Sequence, residues 1–252
     1  MSLTHLSLFS GIGGLDLAAE MAGFTTVGQC EWADYPTKVL EHHWPDVARW
    51  RDIRTLTKES FYERTRRHTV TVVSGGFPCQ PFSVAGYKKG ADDDRYLWPE
   101  MLRVIGEIKP AWVLGENVAG IDDGNLDKVC RGLEDNDYCI TGIFEIPACL
   151  FGANHERYRV FIVANSKQRR WQEFHAKPDS TKSVQRGRPP KETDFGVTAE
   201  GLYRLADCEC LRKGDGVPDR VDRLKGLGNA VVPQQAYPIF AAIAEIERYQ
   251  TI

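Results

Sequence analysis

The start of the chain constrains the fold more than any other stretch. An apolar run at residues 5–9 precedes Ser-Gly-Ile-Gly-Gly at residues 10–14, and an amphipathic segment follows up to about Met21. This order predicts a strand, a glycine-rich turn and a helix, which is the opening of a nucleotide-binding βαβ unit. Gly23 is well placed to end that helix. The sequence therefore predicts a parallel α/β sheet with a ligand at its carboxyl edge.

An acidic residue then stands where such a unit holds a ribose. The second predicted strand, residues 25–30, ends at Glu31, twenty residues after Gly11. A carboxylate there can accept hydrogen bonds from both ribose hydroxyls. Trp32 offers a face for an adenine ring. Because the turn lacks the complete G-x-G-x-x-G form, it leaves two readings open, an NAD-dependent oxidoreductase and an S-adenosylmethionine-dependent methyltransferase.

A cysteine in a proline frame follows a third predicted strand. Residues 70–73 are rich in β-branched side chains, two glycines at 75–76 are expected to end the strand, and Phe-Pro-Cys-Gln-Pro follows at 77–81. The prolines restrict the backbone on both sides of Cys79. A lone cysteine is often simply buried. The rigid frame at a strand's carboxyl end instead favours a nucleophile.

Two further polar motifs follow predicted strands. A strand that begins at Trp112 ends in Glu116, Asn117 and Val118, and a buried glutamate requires a partner or a protonation role. Arg157 and Arg159 alternate as they enter a strand at 160–164, so they point to one face. Further strands and helices are predicted at 138–146, 34–44, from about 57, 95–108, 124–136 and 233–249.

The bulk composition is that of a globular protein kept in a reducing compartment. Of 252 residues, 42% are hydrophobic and 27% are charged. We expect no signal peptide and no membrane span, because no apolar run is long enough. The seven cysteines are irregularly spaced, which favours reduced thiols in a cytoplasm and no metal site.

Positive charge is concentrated in one segment. Residues 166–191 carry eight cationic and two acidic side chains, a net charge of +6, which leaves −9 for the rest of a chain whose formal net charge is −3. The wider stretch 165–221 is polar, weakly periodic and interrupted by prolines, although it contains four aromatic side chains. An acidic body with one basic segment is a plausible footprint for phosphate binding.

Taken together, these stretches resemble the ordered motifs of the cytosine-C5 DNA methyltransferases, and the resemblance covers nearly the whole chain. It implies an α/β, Rossmann-like S-adenosylmethionine-dependent methyltransferase fold with a small target-recognition insertion. The implied organisation is a catalytic and cofactor-binding core at 1–164, a basic target-recognition region at 165–221, and a segment at 222–252 that returns to the core. The residues implied to bind S-adenosylmethionine are Phe9, Gly11, Ile12, Gly13, Gly14, Glu31, Trp32, Asp52, Ile53, Pro78, Leu97, Asn229, Ala230 and Val231.

The resemblance also implies a catalytic set. Cys79 is the implied nucleophile, Glu116 assists at the cytosine N3, and Arg159 holds the cytosine O2 with Arg157 alongside to help set the thiolate and the backbone. The implied DNA contacts are Gln80, Ser83, Arg169, Arg170, Arg186 and Arg188. Two features depart from the family. His155 replaces a glutamine, and the recognition region is short and lacks a recognisable arginine motif. From sequence alone, Asp52 could equally cap the helix that begins near residue 57.

The resulting expectation is a short, phage- or restriction-modification-like enzyme. It would methylate C5 of a flipped-out cytosine in double-stranded DNA through a covalent Cys79 adduct, as a monomer in the cytoplasm of a prokaryotic or phage-infected cell. Two alternatives stay open, because a tRNA cytosine-C5 methyltransferase would share the catalytic motifs and a non-catalytic DNA-binding protein would share the fold. The presence of both Cys79 and Glu116 ranks the non-catalytic protein last.

Overall fold

A seven-stranded sheet forms the centre of the protein. The computed structural model describes residues 2–78, 96–166, 228 and 230–249. In chain order the strands are β1 (Thr4–Leu8), β2 (Thr25–Cys30), β3 (Ala48–Trp50), β4 (Val72–Gly76), β5 (Trp112–Val118), β6 (Tyr138–Ile146) and β7 (Arg159–Ser166). Their spatial order is β3-β2-β1-β4-β5-β7-β6.

The strand directions decide where a ligand can bind. Strands β3, β2, β1, β4 and β5 pair in parallel, whereas β7 runs antiparallel to both β5 and β6. The chain order reverses between β1 and β4, and ligands of open α/β sheets bind outside the carboxyl ends of the strands at such a point. Because β7 is antiparallel, its first residue lies at this same edge. The Rossmann-like α/β fold expected from the sequence is confirmed.

Helices cover both faces of the sheet. They are α1 (Gly14–Met21), α2 (Asp34–His43), α3 (Lys58–Thr65), α4 (Trp98–Ile108), α5 (Asp123–Asp135) and α6 (Pro233–Tyr249), with 3₁₀ turns at Ile53–Thr55 and Ala148–Phe151. One apolar cluster joins α1 and α6 to the sheet, and the other joins α3, α4 and α5 to its opposite face. Each strand in the middle is therefore buried on both sides, as its near-continuous apolar sequence requires.

Helix α6 returns to the first strands, as the sequence predicted. Phe240 is fully buried and makes edge contacts with His5 on β1 and with Phe24, at centroid distances of 5.4 and 5.6 Å. The residues just before α6 are thereby brought beside the turn between β1 and α1. Across the described ranges, no helix is both long and apolar enough to cross a membrane.

One predicted strand end was wrong, whereas β5 ends where the sequence placed it. Gly75 and Gly76 lie inside β4 instead of ending it. A Cβ on Gly75 would sit 3.1–3.2 Å from Met101 and Leu8, so any side chain there would press on both neighbours as β4 passes between them. Strand β5 continues to Val118, so Glu116 is part of the strand and pairs with Gly76.

Candidate active site

The glycine turn between β1 and α1 has the backbone that its sequence demands. Phe9, Gly11 and Gly13 all have positive φ, at 53°, 55° and 91°. A Cβ on Gly13 would lie 2.5 Å from the Trp44 ring, whereas no described atom lies within 4 Å of a Cβ built on Gly11. Ile12 is partly exposed. Among the described residues, the turn is therefore packed against Trp44 at Gly13, whereas the space beside Gly11 is open.

Glu31 is tied directly to this turn. Its carboxylate accepts hydrogen bonds from the backbone N–H of Gly11 and from that of Ala33, both at 2.8 Å. Trp32 is 71% exposed beside it, and Arg51 donates to the Trp32 carbonyl at 2.6 Å. The predicted ribose acid and the glycine turn are thus held together at the ends of β1 and β2, with an exposed indole next to them.

The segment before α6 forms the other wall of the turn. A Cβ on Gly14 would lie 2.4 Å from the backbone oxygen of Val231, so only glycine allows this approach. Val231 is buried and Ala230 is partly buried. Asn229, predicted with them, lies outside the described residues.

Asp52 and Ile53 follow β3, as predicted, but Asp52 does not cap the helix near residue 57. Its side chain accepts from the Arg54 N–H at 3.0 Å and caps the 3₁₀ turn at Ile53–Thr55. Thr57 caps α3, in a reciprocal pair with Ser60. Ile53 is buried in the core below.

The approach to Cys79 is braced from β5 and α4. Phe77 is buried and packs on Trp98 at a centroid distance of 4.8 Å, and its carbonyl accepts from the Asn117 side chain at 3.1 Å. Pro78 is exposed, and Leu97 directly precedes α4 with its side chain partly exposed. Cys79, Gln80 and Ser83 lie outside the described residues. The sequence named Asn117 beside Glu116 but gave it no role of its own, and a buried amide there needs a hydrogen-bond partner.

Glu116 forms a buried ion pair with Arg159. The Arg159 Nε lies 2.8 Å from Glu116 Oε1, with 12% and 10% of the two side chains exposed. Burial raises the pKa of Glu116 to about 7, although the nearby cations Arg159 and Arg157 pull it down. A Cβ on Gly76 would lie 2.6 Å from Glu116 Oε2, so the glycine makes room for the carboxylate. This glutamate can therefore hold or release a proton near neutral pH.

Arg157 reaches in a different direction. Its Nη2 donates to the carbonyls of Gly228 and Ala230 at 2.6 and 2.5 Å, and its φ is +37°. Burial, followed by the charge of Arg159, lowers the pKa of Arg157. The guanidinium thus links the start of β7 to the segment beside the glycine turn.

A buried acid beneath the glycine turn was missed from the sequence. Asp16 is fully buried in the first turn of α1 and accepts from Ser7 and from Gln29, each at 2.9 Å. Burial raises its pKa to about 6, against the opposing effect of these hydrogen bonds. The carboxyl group links α1 to β1 and β2 through these hydrogen bonds. In the sequence, an acidic residue two positions after Gly14 was the feature that could have indicated it.

The remaining residues named from the sequence are His155 and the predicted DNA contacts. His155 is exposed in the turn before β7. The predicted DNA contacts Arg169, Arg170, Arg186 and Arg188 lie outside the described residues. Within 2–78, 96–166, 228 and 230–249 there is no group of three or more His, Cys, Asp or Glu residues suited to a metal ion.

The raised pKa of Glu116 predicts a pH-dependent stability. A carboxyl whose pKa rises from 4.5 to about 7 on folding stabilises the fold below its unfolded pKa and loses that contribution as pH passes about 7. The free energy of unfolding of the wild type, relative to Glu116→Gln, should fall by about 3 kcal/mol between pH 4 and 8. Urea titrations across this range measure it. Glu145→Gln, on the exposed edge strand β6, is the control and should keep the wild-type dependence. Parallel curves for wild type and Glu116→Gln would contradict the assignment.

Comparisons with known proteins identify the family of the chain. The family model described as C-5 cytosine-specific DNA methylase matches residues 3–203. The Type II methyltransferase M.PspPI of Psychrobacter sp. is 36% identical over 167 residues, covering 64% of this chain and 39% of that protein. M.AquIA of Picosynechococcus sp. is 32% identical over 176 residues, covering 64% and 71%. The chain spans 39% of the length of M.PspPI and 48% of that of M.HhaI from Haemophilus parahaemolyticus.

Solved structures support the same assignment. A DNA modification methyltransferase encoded within an E. coli prophage has a TM-score of 0.58 and 29% identity, covering 66% of this chain and 47% of that one. Spodoptera frugiperda DNMT2, at 21% identity and a TM-score of 0.56 over 68% and 52% of the two chains, shares the fold. With the family model matching well over half of its length, the chain belongs to the C-5 cytosine-specific DNA methylase family.

Proposed function

We propose that the protein transfers a methyl group from S-adenosylmethionine to C5 of cytosine in duplex DNA, through a transient bond to Cys79. The observation that carries the proposal is the buried Glu116–Arg159 pair at the carboxyl edge of the sheet. Glu116 stands on β5, the strand next to β4, and Cys79 follows the end of β4 by three residues. A proton-holding acid, a cation and a thiol are the groups that this chemistry needs.

The residues around the glycine turn fit S-adenosylmethionine. Glu31 stands beside the open Gly11, where a carboxylate suits two ribose hydroxyls, and the exposed Trp32 offers an aromatic face. Phe9, Ile12, Gly13, Asp52, Ile53, Pro78, Leu97, Asn229, Ala230 and Val231 complete the proposed binding set. S-adenosylmethionine, when bound, supplies the sulfonium methyl group that C5 takes up.

The thiolate of Cys79 makes C5 reactive. Cytosine C5 is a weak nucleophile, and addition of a thiolate at C6 gives it enamine character. After methylation, loss of the C5 proton returns its electron pair to the ring, and the bond between C6 and sulfur breaks. Cations beside a thiol favour its ionised form. Arg157 and Arg159 are cations at the start of β7, on this edge of the sheet.

Glu116 and Arg159 act on the cytosine ring. Addition of sulfur at C6 places negative charge on the ring, and a proton or hydrogen bond from Glu116 at N3 offsets it. A pKa of about 7 suits this role at neutral pH. Arg159 donates to the cytosine O2, a charge-assisted hydrogen bond. C5 and C6 are unreachable inside a stacked duplex, so the target base must be flipped out.

DNA binding falls to the basic segment in this proposal. Residues 1–164 form the catalytic core, 165–221 the recognition region, and 222–252 the returning segment. The net charge of +6 at residues 166–191 supports phosphate contacts by Arg169, Arg170, Arg186 and Arg188, with Gln80 and Ser83 near the flipped base.

Methyl transfer tests the function directly. Wild-type protein with methyl-labelled S-adenosylmethionine should label unmethylated duplex DNA and leave tRNA unlabelled, and sequencing of the DNA should map the label to C5 of cytosine. Cys79→Ser should lose at least about a thousandfold of the rate, because a hydroxyl is hardly ionised at neutral pH. Calorimetry should show that this variant still binds S-adenosylmethionine. Label in tRNA alone would favour the RNA enzyme, and NAD binding in place of S-adenosylmethionine would favour the oxidoreductase.

The basic segment predicts a salt-dependent affinity for DNA. Neutralising Arg169, Arg170, Arg186 and Arg188 to Gln removes up to four phosphate contacts, so the slope of log affinity against log salt should flatten by about 3–4. DNA titrations at several ionic strengths measure it. The matched control is neutralisation of four cations of the core surface, Arg54, Arg66, Arg67 and Arg131. An unchanged slope in the first variant would show that the segment's charges serve only to solvate it.

A further inference from the structure

We propose that Gln235, on the first turn of α6, is a positioning residue for the active-site arginines 157 and 159. The inference rests on the proposed function and assigns a role to a residue outside the motifs that suggested it. Gln235 is fully buried, and its side-chain Nε2 donates to two carbonyls, that of Ile146 at 2.6 Å and that of Arg157 at 3.0 Å. One amide group therefore joins the end of β6 to the turn that enters β7.

The identity of the side chain follows from its partners. Two carbonyl oxygens converge on one position, so the group between them must offer two donors. A glutamine NH₂ does this without charge. The opposite amide orientation would set oxygen against oxygen, and a glutamate there would be repelled by both carbonyls. The Oε1 atom is buried and has no hydrogen-bond partner among the described residues. Both hydrogen bonds of this side chain are therefore donated by its NH₂ group.

The carbonyl that Gln235 holds belongs to a strained residue. Arg157 has a φ of +37°, a conformation that L-residues adopt only when the surroundings hold them there. The preceding carbonyl, that of Glu156, is held by the Ala148 N–H at 2.6 Å. Gln235 supplies the restraint on the next carbonyl. Release of this restraint would let the turn relax away from its strained geometry.

Hydrogen bonds between Arg157 and the region of α6 are donated from both sides. Arg157 Nη2 donates back to Gly228 and Ala230, on the segment that leads into α6. Gln235 and Arg157 thus form a reciprocal tie between that segment and the start of β7. Two residues beyond Arg157, Arg159 makes its ion pair with Glu116. In this proposal the direction of the Arg159 side chain, at the start of β7, depends on a glutamine of helix α6.

Gln235→Met tests this role, since methionine keeps the length of the side chain and loses both donors. We expect kcat for methylation of unmethylated duplex DNA to fall about tenfold, while the dissociation constant for S-adenosylmethionine changes less than about threefold. Gln234→Met, the same change one residue earlier on α6, is the matched control and should keep kcat within about twofold. Urea unfolding of both variants shows that they are folded under the assay conditions.

A pH profile separates positioning from a general loss of packing. Arg159 holds the pKa of Glu116 down, so a displaced Arg159 should move the Glu116-dependent limb of the kcat profile to higher pH in Gln235→Met alone. A folded Gln235→Met with wild-type kcat and profile would overturn the proposal, as would equal effects in both variants. If Gln235→Met does not fold, Gln235→Asn replaces it, because the shorter side chain draws the NH₂ donors back from both carbonyls. The kcat profile of Gln235→Asn must then show the same shift to higher pH, or the proposal fails. A wild type without methyl transfer would instead overturn the proposed function.

Discussion

The arrangement of the site depends on one buried ion pair, Glu116 with Arg159. It exists because β7 runs antiparallel between β5 and β6, so the first residue of β7 lies beside the last residues of β5. Arg159 pairs with Val118 in register, and Glu116 lies two residues away on the same face of the sheet. Gly76 on β4 leaves the space that the carboxylate fills. Removal of one partner would leave an uncompensated buried charge, which is far more costly than loss of a surface pair.

The cofactor side of the site relies on backbone groups instead of charge pairs. The Glu31 carboxylate is held by two N–H groups, and Gly14 admits the Val231 carbonyl at a distance no other residue would tolerate. Asp16 ties the same turn to β1 and β2 from below. The contact between Gly14 and Val231 joins segments more than two hundred residues apart. The two halves of the site meet through Arg157 and Gln235.

The sequence predicted the fold and most of the motif positions, for physical reasons that can be named. Buried parallel strands read as apolar runs, and the turns between them are marked by Gly11, Gly13 and Gly14. Side chains that follow strands, such as Glu31, fall at the carboxyl edge in any parallel sheet. The pairing of Glu116 with Arg159 also needs the antiparallel register of β7, which local patterns do not encode.

What the sequence did not predict are contacts between distant segments. Gln235 reads as one more polar residue at the start of a helix, because its two acceptors come from β6 and the turn before β7. Gly75 and Gly76 read as a strand end, because their close neighbours Met101 and Glu116 are distant in the chain. The sequence left open whether Asp52 would cap the helix near residue 57. Its partner proved to be Arg54 on the nearer 3₁₀ turn.

The most direct test of the account is a covalent trap. Duplex DNA in which 5-fluorocytosine replaces cytosine has no C5 proton to lose, so the bond between sulfur and C6 should persist after methyl transfer. Wild-type protein with S-adenosylmethionine should then form an adduct that survives denaturation, and mass spectrometry of the peptide should place a methylated base on Cys79. An adduct on another residue, or none from protein that binds S-adenosylmethionine and DNA, would contradict the account.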